Sequence, residues 1–195
     1  MTDPSSADGP RKVAPEDRAT TGPFDESEAN PVRPYIDLGG IKILPREGLN
    51  LRLEVEEQTK RIVAVGLDYA DSTLQVQPFA APRSAGLWEE TREQIRQQGG
   101  RVEEREGPLG PELLAEVPVI AGPDGTAGKR LARFVGVDGP RWFLRGVIGG
   151  AATADVEAAA AVEDLYRSIV VVRGGSPMPP RDLIPLKMPA TPGSA

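Results

Sequence analysis

Leu49–Pro82 reads LNLRLEVEEQTKRIVAVGLDYADSTLQVQPFAAP, and its period decides the fold. Leu49, Leu51, Leu53 and Val55 fall on one side of an extended chain, and Asn50, Arg52, Glu54 and Glu56 on the other. After the polar link EEQTK the alternation resumes with Val63, Val65, Leu67 and Tyr69, and after ADS with Leu74 and Val76. Period two broken by polar links predicts antiparallel strands with one apolar and one polar face. An earlier strand is expected at Ile41–Leu44, stopped by Pro45.

Downstream the period changes. PRSAGLWEETREQIRQQGG places Leu87, Trp88, Thr91 and Ile95 on one helical side, with Ser84 as the expected N-cap and Gly99 suited to the left-handed C-terminal position. Strands are expected again at Arg101–Glu106 and at about Glu112–Ile120, followed by the loop GPDGTAG. Thr153 is the expected cap of a second helix, TADVEAAAAVEDLYRS, which must bury Val162, Leu165, Tyr166 and Ile169. A last strand is expected at Ile169–Val172. Strands with hairpin links and two main helices packed against them define an α+β protein built on an antiparallel sheet.

Composition sets the boundaries. Residues 1–33 are acidic and poor in large apolar side chains, so too little surface is buried to offset the entropy of ordering, and a disordered tail is expected. Residues 34–174 read as a single domain. Residues 175–195 contain PMPPRDLIPLKMP and read as a proline-rich tail whose Leu183, Ile184, Leu186 and Met188 dock in part.

The same composition removes whole chemistries. With neither histidine nor cysteine among 195 residues, histidine-based triads, thiol catalysis and the usual zinc sites are absent. A net charge of −6 argues against nucleic acid as a partner. The chain has no long apolar run and no signal-like start, and it lacks cysteine; a cytoplasmic protein without membrane contact is expected. GPDGTAGKR fails as a phosphate loop, because Pro123 stands where the first glycine belongs and Arg130 where the hydroxyl belongs. The residues nominate no catalytic group, no metal ligand and no cofactor.

One stretch stands out as a candidate binding surface, ARFVGVDGPRWFLRGVIGG, Ala132–Gly150. It gathers Arg133, Arg141, Arg145 and Phe143 about one turn. Two hairpin registers are open. A three-residue loop, Asp138–Pro140, pairs Val135 with Phe143 and Arg133 with Arg145; a two-residue loop pairs Phe134 with Phe143 and sets Trp142 beside Val135. In both, Trp142 and Phe143 point oppositely, so one ring leaves the main core and must be covered by the tail, by a partner protein or by a second copy. Two functions follow: a non-enzymatic binding or assembly module acting through the hairpin face, or an enzyme or binder that takes an anionic small molecule, such as a nucleotide or sugar phosphate, through carboxylates and arginines.

ADSTLQVQPFAAPRSAGLWEE, ARFVGVDGPRWFLRGVI, EDLYRSIVVVRG and PMPPRDLIPLKMP, in this order, resemble an actinobacterial family, domain of unknown function 3710 (DUF3710). The likeness spans about residues 22–189 and implies no site residue, since the family has no established activity. The order of strands and helices, with the last helix running into SIVVV, also resembles a PsbP-like fold, which implies binding or assembly rather than catalysis.

Overall fold

The computed structural model describes residues 10–98, 100–121 and 126–189. Gly99 as a helix end, the centre of the GPDGTAG loop, residues 1–9 and residues 190–195 lie outside the described residues.

Seven antiparallel strands form the main sheet: β4 (Asn50–Val55), β5 (Ile62–Tyr69), β6 (Ser72–Ala80), β7 (Val102–Gly107), β8 (Gly110–Ala121), β9 (Thr126–Asp138) and β10 (Trp142–Gly150), in the spatial order β4-β5-β6-β10-β9-β8-β7. A small four-stranded sheet joins β1 (Phe24–Asp25), β2 (Ile36–Asp37), β3 (Ile41–Ile43) and β11 (Val170–Val171). The two main helices are α2 (Trp88–Gln97) and α3 (Val156–Arg167); α1 (Arg18–Thr21) is one turn. This is an α+β fold.

Alternation puts a core on each face of the main sheet. Val65, Leu67, Leu74, Val76, Val135, Val137, Trp142, Leu144 and Ile148 face α3 and the small sheet, and α3 supplies Val162, Leu165 and Tyr166 to the same cluster. Each such side chain contributes about 1.5–3 kcal/mol by leaving water. Tyr166 donates its hydroxyl hydrogen to the Leu144 carbonyl at 2.7 Å, so the buried phenol is satisfied. Val55 departs from the pattern: a register shift at Glu54/Val55 leaves it 51% exposed.

The opposite face carries a second cluster, Leu87, Trp88 and Ile95 of α2 against Leu113, Ala115, Ala132, Phe134 and Phe143. Gly136 is required here, because a Cβ would stand 2.6 Å from the Trp88 ring and 2.7 Å from Phe143. The other half of this face, carried by β4–β6, is polar. Arg52 pairs with Asp68 at 2.8 Å and Gln75 bonds Glu54.

Both helix caps differ from expectation. Asp155, not Thr153, caps α3, accepting from the Ala158 N–H at 2.8 Å. Ser84 makes no cap for α2; the carboxylate of Asp138, at the end of β9, accepts from Leu87 N–H at 2.8 Å and Trp88 N–H at 3.4 Å. A cap arriving from 50 residues away leaves no local sequence signal.

The N-terminal segment needs a correction. Disorder over 1–33 does not describe residues 10–33. Val13 N–H donates to Asp138 Oδ2 at 2.9 Å, Lys12 Nζ donates to the carbonyls of Pro82 and Gly139, and Gly86 N–H donates to Pro10 O. Further along, Asp25 accepts from Trp142 Nε1 at 2.9 Å and the Arg18 guanidinium lies 5.5 Å from the Trp142 ring. Polar bonds and a cation–π contact hold this segment, which is why its low apolar content was misleading.

At the other end, Ile184 is 2% exposed within the α3-side core. Asp182 and Ile184 bond Ala80 and Pro78 of β6, and Lys187 N–H donates to Leu38 O. The C-terminal segment thus runs along β6 and ties the two sheets together.

A cleft beneath helix α2

The hairpin adopts neither expected register. Phe143 pairs with Asp138, Leu144 with Val137 and Ile148 with Arg133. Residues 139–141 link the two strands, and Gly139 N–H donates to Trp142 O at 2.8 Å. The Trp142 ring lies on Gly139, where a Cβ would stand 2.2 Å from it. The last pair, Asp138 with Phe143, encloses four residues instead of two or three, and the Asp138 side chain is held from outside the hairpin by α2 and by Val13. The shift from the second expected register is even, so its faces survive: Trp142 lies with Val135 on the α3 side, and Phe143 with Phe134 on the α2 side.

This register separates the four candidate residues. Arg133 lies on the α3 face, 2% exposed, bound bidentately by Glu112 at 2.7 and 3.1 Å and approached by Glu163 at 3.4 Å. Burial alone would lower its pKa, but the two carboxylates outweigh this and hold the guanidinium above its ordinary value. It forms the floor of an open depression of about 430 Å³ beside the start of α3. Arg141 sits on the hairpin loop, with a long 3.4 Å bond to Gly174 O.

Phe143 and Arg145 remain together on the α2 face. Phe143 is 2% exposed and stacks between Trp88 at 5.8 Å and Phe79 at 6.1 Å. The ring that the alternation forces off the main core is therefore covered by α2. Beside it opens a cleft of about 170 Å³. Phe79, Phe143 and Arg145 form its sheet wall, Leu87, Glu90, Thr91 and Gln94 its helix wall, and Arg181 of the C-terminal segment its rim.

Arg145 is the unusual member. It is half-buried in the cleft wall, its guanidinium lies 5.7 Å from the Phe134 ring centroid, and its Nε is buried with no hydrogen-bond partner, as are those of Arg92, Arg167 and Arg173 elsewhere. Burial lowers its pKa and, unlike Arg133, no neighbouring carboxylate opposes the shift. Arg181 is neutralised by Glu90 in a bidentate pair, both contacts at 2.9 Å. The cleft thus holds two aromatic rings, the Thr91 hydroxyl, the Gln94 amide, one neutralised ion pair and one unpaired cation. It carries no nucleophile with an adjacent base. Among the described residues no group of three or more acidic side chains is arranged to hold a metal ion, and no helix is long and apolar enough to cross a membrane.

Sequence reasoning found Phe143 and Arg145 but missed the helix wall and Arg181. The 35 residues between Arg145 and Arg181 hide the second contribution, and the only hint was the apolar DLIPL run that docks the segment beside β6.

Among solved structures, the chain is similar to cyanobacterial PsbP (CyanoP) from Synechocystis sp. PCC 6803, in a solution structure, at 14% identity over 68% of this chain and 87% of that one. The TM-score is 0.34, a superposition too loose to carry an argument, and the α+β class rests on the sheets and helices themselves. No curated protein matches the sequence. The family model described as "Protein of unknown function (DUF3710)" matches residues 22–195, all but the first 21 residues, and the chain belongs to that family.

Proposed function

We propose that the protein is a non-enzymatic binding or assembly module and that the cleft beneath α2 is its recognition site. The observation that carries this reading is Arg145, a half-buried side chain in the cleft wall whose Nε is buried without a partner and beside which no carboxylate offsets the lowering of its pKa by burial. Even partial burial of a cation without a counter-charge is unfavourable, and buried polar groups left unpaired call for an explanation. A ligand that supplies the missing acceptor is one.

Size weighs against the alternative of a nucleotide or sugar phosphate. Pockets for such ligands run to about 300–1,000 Å³, and this cleft holds about 170 Å³. Nor do the walls offer the paired acid and base that turnover requires. Arg133, with two carboxylates of its own, has no charge left to offer a ligand.

The test compares full-length wild type with Arg145→Met as bait for proteins captured from cells, after thermal unfolding has shown both baits folded. Loss of the partners that wild type retains is the expected result. Equal recovery by both baits would move the recognition site elsewhere.

A further inference from the structure

We propose that the group received by this cleft is the carboxylate of a single aspartate or glutamate side chain presented by a protein partner, an inference that rests on reading the cleft as the recognition site. Three observations select that chemistry over a phosphate.

The first is charge. Glu90 and Arg181 cancel each other through a bidentate pair, so Arg145 leaves the cleft one net positive charge. A monoanion matches it. A phosphate monoester carries nearly two negative charges at pH 7 and would meet the Glu90 carboxylate with only one free cation.

The second is size. A cavity of about 150 Å³ holds benzene, and 170 Å³ holds a group of that order. An acidic side chain fits, while a nucleotide does not. The third is the wall chemistry. Phe79, Phe143 and Leu87 offer apolar surface to methylenes, whereas the guanidinium and the Gln94 amide offer donors to oxygens. A guanidinium lining the cleft carries the forked N–H donors that a planar carboxylate accepts.

The surroundings favour a side chain on a protein over a free acid. Gln77, the β6 partner of Arg145, and Val147 lie half-buried on the same sheet face, next to the polar half carried by β4–β6. A partner segment lying on that half can lower one side chain into the cleft.

The experiment follows the arginine Nε–Hε signals of the full-length protein in ¹H–¹⁵N spectra, with Arg145 assigned by its disappearance in Arg145→Met. The probes are N-acetyl-glutamate amide, its glutamine analogue, acetate, inorganic phosphate and AMP. The expected result is a saturable shift of Arg145 with the glutamate probe, at least about tenfold tighter than with acetate, phosphate or AMP. The glutamine analogue should produce none, and the Arg133 signal should stay fixed. Tighter binding of phosphate or AMP overturns the carboxylate assignment, and acetate equal to the glutamate probe overturns the side-chain source. If no probe shifts Arg145 while partner capture still depends on it, the carboxylate assignment falls and the recognition site stands. If capture is also independent of Arg145, both fall.

Discussion

Arg133 and Arg145 stand on adjacent strands of one sheet, and the fold treats them in opposite ways. Arg133 points to the α3 face, where Glu112 and Glu163 arrive from β8 and α3 and raise its pKa. Arg145 points to the α2 face, where it meets rings and a helix but no carboxylate, and burial lowers its pKa. The first is a closed electrostatic unit whose value is structural. The second is an open one, and a half-buried charge without an acidic partner is the kind of local inconsistency that accompanies function.

The contrast can be broken most forcefully at Arg133. Arg133→Met leaves Glu163 without a cation and Glu112 with only Arg105 at 3.6 Å, and should cost about 3–5 kcal/mol, read as a lower urea midpoint at unchanged slope. A loss under 1 kcal/mol would mean that solvent reaches the two glutamates and the unit is not closed.

Next in size is Asp138, which ties the roof of the cleft to the N-terminal segment. Asp138→Ala strands the Leu87, Trp88 and Val13 amides and should cost about 1–3 kcal/mol. Amide hydrogen exchange should quicken at Leu87 and Trp88 while β5 and β6 stay protected. Uniform quickening would show a global loss instead of a local cap.

How much of this is legible in the sequence follows from the range of each interaction. The strands of Leu49–Pro82 are written in a period of two over neighbouring residues, and the helices in the spacing of Leu87, Trp88 and Ile95 and of Val162, Leu165 and Tyr166. These features are local, so the α+β class is readable. Asp138 reads as a turn residue because its partners, Val13 and Leu87, lie more than 50 residues away. The registers offered for the hairpin fail for the same reason: the pull on Asp138 comes from outside the hairpin. Residues 10–33 look unfoldable by apolar content because their attachment is polar, through Lys12, Arg18 and Asp25. Of the candidate site, Phe143 and Arg145 are visible as an aromatic and a cation on the same strand face. That Arg133 would find two acids and Arg145 none depends on which faces Glu112 and Glu163 reach, and no linear pattern encodes it.

The most direct test of the central claim is the sign of one stability change. If Arg145 is a half-buried cation with no acidic partner in the free protein, Arg145→Met keeps the packing of its stem and removes the unpaired charge. Equilibrium urea unfolding at pH 7 should then show the variant more stable than wild type by about 0.5–1 kcal/mol, at unchanged slope, although it has lost the recognition site. A loss of 2 kcal/mol or more, approaching that of Arg133→Met, would show that Arg145 is paired within the fold and would contradict the account.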